Sequence, residues 1–353
     1  MQATLQAEVD PSPDTGAAAW PWEEMISEFR ALGGVANNVR LGQGPIGRGV
    51  FAVDPASPIE IVVPANLLFA LKEVEFTPDG VLRATDAAPQ GAGEKAFFAR
   101  YMAEYDWGPA RPECEEFLRE LDAAPEPVRA YLREHFEFAD SLEGDVETRA
   151  RSRFLKTRII SWRDAFVLMP VLDLVNHGAK APGFAVQEEG ISMAGSFSDE
   201  VRVRYNVSDP MGMFQNWGFV GEELAAFSVH MRLTLNDRAF AIRRELRKKT
   251  LIGEFLTPAL TEENGLTTIS YLMIGNADFP RLSKGIFYRL MRDQGLGDQA
   301  EEAFDHILHH NRTVFFNLLA LLEEHEGPMI KTLRRMCRRQ LESMSYSLGV
   351  RQV

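Results

Sequence analysis

At 353 residues and 45% hydrophobic content, the chain can bury a substantial core, as two domains or as one elaborated one. A formal net charge of -13, with pI near 5.1, argues against nucleic acid or an anionic membrane as the main partner. Two cysteines, Cys114 and Cys337, are too few for a disulfide framework or a cysteine-rich zinc site, and point to a reduced, cytoplasmic setting. No segment has the uninterrupted apolar length of a membrane span.

Residues 1–19 lack a basic end ahead of an apolar stretch, so they read as a flexible tail and not as a secretory signal. Trp22, Met25, Ile26 and Phe29 fall at helical spacing over 21–32, with Gly33-Gly34 as the stop. The stretch VRLGQGPIGRGVFA, 39–52, predicts a strand, a glycine-rich turn and a second strand. Residues 59–63 predict another strand, and 64–72 a helix opening at Ala65. From Gly93 the charge and periodicity predict helices over 95–105, 113–121, 126–135 and 146–157. This reads as a helical insertion within a β-rich domain. Residues 169–220 return to strands around a polar hairpin. After Gly221 the pattern predicts helix almost to the end: a long amphipathic helix over 222–255, then 280–294, 299–324 and 328–345.

The chemistry-bearing residues gather in 169–220. The apolar run MPVLDLVNHG ends in Asp173, Asn176 and His177, polar groups that need partners if buried. Val201, Val203 and Tyr205 alternate as a strand would, and Trp217-Gly218-Phe219 follows. A tyrosine with aromatics beyond it predicts a hydroxyl in an aromatic-lined pocket for a cationic or amine ligand. Taken singly, each feature has a plain structural explanation. Gly47-Arg48-Gly49 is an ordinary turn, because a strand follows it where a dinucleotide site needs a helix. A metal centre is not expected, since no HExxH-type spacing accompanies Asp173 and His177. No Gly-x-Ser-x-Gly elbow supports a serine nucleophile.

Taken together, the order of these features resembles the SET-domain methyltransferases, in the branch typified by the Rubisco large-subunit lysine methyltransferase. The resemblance rests on Ile46-Gly47-Arg48-Gly49 in a hairpin, the helical block before Arg158, and Asp173-Leu174-Val175-Asn176-His177 as a D-x-x-N-H motif. It rests also on Val203-Arg204-Tyr205-Asn206 and Trp217-Gly218-Phe219. It implies an α+β SET fold with a pseudoknot, split into 20–92 and 158–221 by an insertion at 93–157. A helical substrate-binding domain over 222–353 would follow. It implies S-adenosylmethionine as cofactor, held by Ile46, Gly47, Arg48, Gly49, Arg158, Asp173, Asn176, His177, Tyr205 and Phe219. Tyr205 would be the catalytic phenol, and Tyr205 and Trp217 would wall the substrate channel. The implied activity is N-methyl transfer to a protein or peptide lysine. The alternatives are histidine, a peptide natural product or a small amine as acceptor, or a SET-like interaction protein with weak catalysis. The chain departs from the family pattern at Gly178, at Asn206, in the reduced Ser198-Asp199-Glu200, and above all at Trp217, where a tyrosine is usual.

Overall fold

The computed structural model describes residues 20–44, 47–136, 144–244, 250–252 and 255–348, and the expected tail and Ile46 lie outside them. The first helix, Trp22–Ala31, buries Met25, Ile26 and Phe29. It ends where Gly33 turns at φ +95° and Gly34 passes under the Phe29 ring, 2.4 Å from where a Cβ would sit. The glycine-rich hairpin is present as Val39–Gly44 paired antiparallel with Gly47–Ala52. The helix expected over 64–72 is only a 3-10 turn, Ala65–Leu67, followed by the short strand Phe69–Ala70. Pro64 and the buried Leu67 and Leu68 favour that tight, partly extended path.

Strands from before and after the helical block share sheets. Ile59–Pro64 lies between Val35–Asn37 and Gly190–Gly195, which pairs on its far side with Ala185–Val186. Phe69–Ala70 pairs with Ala165–Leu168, which pairs with Ile159–Trp162. The helices between them are Ala92–Glu104, Trp107–Asp122, Glu126–Phe136 and Val146–Arg158. The last begins at Asp145, whose carboxylate accepts the Thr148 N–H at 2.8 Å. Phe97, Phe98, Tyr101 and Met102 turn the first of these helices into the sheets. Leu121, Val128, Leu132 and Phe136 instead join the core of the C-terminal region, so the insertion bridges the two halves.

The C-terminal region is not all-helical. Where the periodicity predicts a helix over 222–255, the chain forms the strands Ala225–Phe227, Met231–Leu235 and Arg238–Arg243, and further strands follow. A four-stranded sheet orders Met231–Leu235, Arg238–Arg243, Leu266–Ser270 and Ala259–Glu263. Two hairpin turns decide this. Asn236 and Asp237 take φ of 47° and 60°, and Asn264 and Gly265 take 52° and 76°. Paired left-handed residues are the tight turn that joins twisted strands and break any helix. Helices Leu282–Asp293, Ala300–Glu323 and Pro328–Ser345 then cover the sheets. Gly275 lets the last helix touch strand Met273–Asn276, since a Cβ there would sit 2.3 Å from the Ser343 carbonyl. The whole is a mixed α+β protein of small sheets, and no helix among the described residues is long and apolar enough to cross a membrane.

Candidate active site

Three segments distant in sequence meet at the expected site. Strand Asn176–His177 pairs in parallel with Arg202–Val203, in register Asn176 with Arg202 and His177 with Val203. The residues just before Arg202 lie along the glycine hairpin, where Val201 N–H donates to Val50 O and Ala52 N–H to Asp199 O. The Asn-His strand and the glycine hairpin are thus brought together by the chain that carries Tyr205.

Asn176 and Gly49 are in direct contact. The Asn176 amide donates to Arg48 O at 3.1 Å and to Glu200 Oε1 at 2.7 Å. A Cβ on Gly49 would fall 2.4 Å from Asn176 Nδ2, so only glycine admits this approach. Gly47, at φ +110°, leaves bare backbone with nothing within 4 Å of its Cβ position. The Arg48 guanidinium turns back to the Tyr105 carbonyl. Glu200, buried, also accepts Arg202 Nη2 at 2.7 Å.

Tyr205 stands beside this pair. Its N–H donates to His177 Nδ1 at 3.2 Å, and its hydroxyl donates to Val175 O at 2.8 Å. That bond leaves the His177 proton on Nε2, which faces Glu223 Oε1 at 3.1 Å. The rings of Phe219, His177, Tyr205 and Trp217 form a chain with centroid separations of 6.1, 5.2 and 5.5 Å. Gly218, left-handed at φ 82°, ends helix Pro210–Trp217 and sets the two flanking aromatics on their separate paths. Trp217 Nε1 points to Thr157 O at 3.4 Å.

Behind Tyr205 lies a cavity of about 50 Å³ lined by Arg158, Met169, Asp173, Phe184, Tyr205 and Trp217, among others. Arg158 and Asp173 therefore sit on the phenol side of the site, within a buried polar cluster. Tyr101 donates its hydroxyl to Asp173 Oδ1, Arg158 Nη1 donates to Asp173 O at 2.9 Å, and Arg158 Nε lies 3.1 Å from Asp106 Oδ1. Burial, and then the charge of Asp106, push the Asp173 carboxyl well above the usual carboxylate range. Burial pushes the Tyr205 phenol up to about 12; Arg158 opposes this, and Asp173, Asp106 and Glu200 add to it. Burial alone would lower Arg158, but Asp106 and its other anionic neighbours outweigh that and hold it above its ordinary value.

Asp106, Tyr101, Glu200 and Glu223 belong to the site, and the sequence pattern singles out none of them as ligands. Asp106 stands at the break between two helices, a place where an aspartate reads as a helix cap, yet its side chain caps nothing. Among the described residues no group of three or more His, Cys, Asp or Glu side chains is placed to hold a metal ion. No protein-family model matches the chain, and no curated protein matches it.

Proposed function

We propose that the protein is an S-adenosylmethionine-dependent N-methyltransferase of the SET type, with a protein or peptide lysine as acceptor. One observation carries the reading: Tyr205, Asn176-His177 and the bare backbone of Gly47-Arg48-Gly49, from three separate segments, form one contiguous group. The threading implied by the family agrees with the course of residues 199–203 between the hairpin and the Asn-His strand.

The residues present fit the cofactor. Open backbone at Gly47, the buried Glu200 carboxylate and the His177–Phe219 aromatic wall would offer acceptors and ring faces to a positively charged adenosyl amino acid. The Asn176 amide, donating to Arg48 O and Glu200 Oε1, holds the hairpin in place. Gly47, Arg48, Gly49, Asn176, His177 and Phe219 would hold the cofactor, with Arg158 and Asp173 acting from the far side of Tyr205. When bound, the cofactor supplies an electrophilic methyl group.

The chain's own part is aim and proton control. A free lysine amine, with pKa about 10.4, costs roughly 4–5 kcal/mol to deprotonate at pH 7. Met169, Leu172, Phe184 and Trp217 give the cavity apolar walls that disfavour the ammonium on entry. Tyr205, raised to about 12, keeps its proton at neutral pH, so it orients the amine through its oxygen and does not serve as the base. Positioning of this kind is the main lever for an in-line displacement.

The test is incubation with methyl-labelled S-adenosylmethionine and lysate, followed by mass spectrometry of the labelled residue. Label on lysine supports the reading, and label on histidine or a small amine would move the acceptor while keeping the cofactor. No binding of the cofactor by calorimetry would overturn it.

A further inference from the structure

Glu223 has no part in the methyl transfer described above, yet it is buried against the site. Its side chain is 3% exposed, and among the described residues neither of its oxygens accepts a hydrogen bond. Arg339 lines the adjoining cavity with it but gives its guanidinium to Glu342 at 2.8 Å. What Glu223 does face is His177, 4% exposed, whose Nε2 stands at ion-pair distance, 3.1 Å from Glu223 Oε1. A buried acceptor without a donor is costly, so its place opposite an imidazole needs a reason.

The reason lies in how Tyr205 is fastened. The pairing of Asn176–His177 with Arg202–Val203 ends at Val203, and the Tyr205 N–H goes to an imidazole nitrogen where a main-chain oxygen would be usual. At its other end the hydroxyl donates to Val175 O. Residues 175–177 therefore grip Tyr205 at both ends. Nδ1 of His177 can accept only while the ring proton sits on Nε2, the nitrogen that faces Glu223. A carboxylate at that position favours this tautomer, fixes the ring and makes Nδ1 the better acceptor.

Glu223 reaches this place from the C-terminal region. It stands just before strand Ala225–Phe227, which pairs with Met273–Asn276. Gly221 makes the room, since a Cβ there would lie 2.6 and 2.8 Å from the two carboxylate oxygens. We propose that Glu223 is a positioning residue for Tyr205 and acts through His177. Its carboxylate keeps the imidazole proton on Nε2, and Nδ1 then holds the Tyr205 backbone so that the phenol is presented at one angle. This rests on the reading of Tyr205 as the catalytic phenol. It also ties turnover to the C-terminal region, because any shift of residues 221–225 withdraws the carboxylate from His177.

The experiment uses the full-length protein carrying isotope-labelled histidine. Imidazole nitrogen shifts report the tautomer of His177, assigned by its loss in His177→Gln, and methyl transfer is followed on the same samples. The expected parent spectrum has the ring proton on Nε2 alone. Glu223→Ala should mix the two tautomers and lower kcat about ten- to a hundredfold, with KM for donor and acceptor changed less than about threefold. Glu223→Gln, whose amide oxygen still accepts, should restore the Nε2 proton and most of kcat. Gly221→Ala keeps every charge but crowds the carboxylate out of its place. It should repeat the Glu223→Ala spectrum, and it covers the case in which that variant folds poorly. A parent proton on Nδ1, or an Nε2 proton untouched by both Glu223→Ala and Gly221→Ala, overturns the proposal. The spectra need no donor, so the two readings fail separately. A responsive tautomer without binding of S-adenosylmethionine is the failure of the methyltransferase reading, and binding and transfer with an unresponsive tautomer is the failure of this inference.

Discussion

Asp173 and Asp209 are both buried carboxylates close to an arginine, and they behave oppositely. Asp209 is fully buried and fully partnered. Its Oδ1 accepts the Gly212 N–H at 2.8 Å as the cap of helix Pro210–Trp217; its Oδ2 accepts Phe227 N–H at 3.0 Å, Gln340 Nε2 at 2.7 Å and Arg244 Nη1 at 2.9 Å. Burial alone would raise its pKa, but Arg244 and these donors bring it below the usual carboxylate value. Asp173 has the Tyr101 hydroxyl, a rival carboxyl and an oxygen with no donor, and its pKa goes up. A satisfied buried charge ties elements together, here a helix, a strand and the last helix. An unsatisfied one beside a cavity marks a candidate binding site.

The largest effect should follow from breaking the satisfied hub. Asp209→Ala strands the Arg244 guanidinium and removes a helix cap, and should cost about 3–5 kcal/mol of stability in denaturant titration. A loss under about 1 kcal/mol would mean that the hub is not the fastening it looks to be. Tyr205→Phe acts on the other side of the comparison. Stability should change little, since only the bond to Val175 O is lost, while turnover falls about a hundredfold to a thousandfold in the methyl-transfer assay. Retained turnover would remove Tyr205 from its role. Asn176→Ala should leave the Asp173 cluster intact and weaken S-adenosylmethionine by about tenfold in calorimetry, because its amide is bound to the hairpin and to Glu200. An unchanged affinity would place the cofactor elsewhere.

How much of this could be read from the chain differs between the same two regions. The hairpin glycines, the insertion helices and the D-x-x-N-H segment are local patterns, and their elements stand where periodicity and turn residues put them. The first strands of 225–276 did carry a local mark, since Met231, Leu233 and Leu235 alternate with period two as a strand does. Three such residues are a short signal inside a stretch whose charged and apolar residues also suit a helix. The left-handed pair Asn236-Asp237 adds to it, though Asn-Asp is a weaker hairpin signal than the Asn264-Gly265 that follows. The Asp106–Asp173 and Asp209–Arg244 pairs join residues far apart in sequence, and no local spacing encodes them. Asp209 does bear one local mark, the Asp-Pro that opens a helix, which signals a cap but not the arginine behind it.

The smallest effect is also the most direct contrast, because it has opposite sign at the two carboxyls. Asp209 has a lowered folded pKa, so its contribution is present above the unfolded value of about 3.9 and is lost as pH falls through the folded value. Asp173 has a raised folded pKa, so its contribution is complete below about 3.9 and is lost as pH rises through the folded value. Asp209→Asn should therefore show its greatest deficit relative to the parent near neutral pH, and the deficit should shrink on acidification. Asp173→Asn should gain on the parent as pH rises from about 4 towards neutrality, with a slope no steeper than about 1.4 kcal/mol per pH unit for one proton. Chemical denaturation across that range measures both curves. Parallel curves for the two variants would mean that the carboxyls share one electrostatic state, and the distinction between a fastening and a binding site would fail at its root.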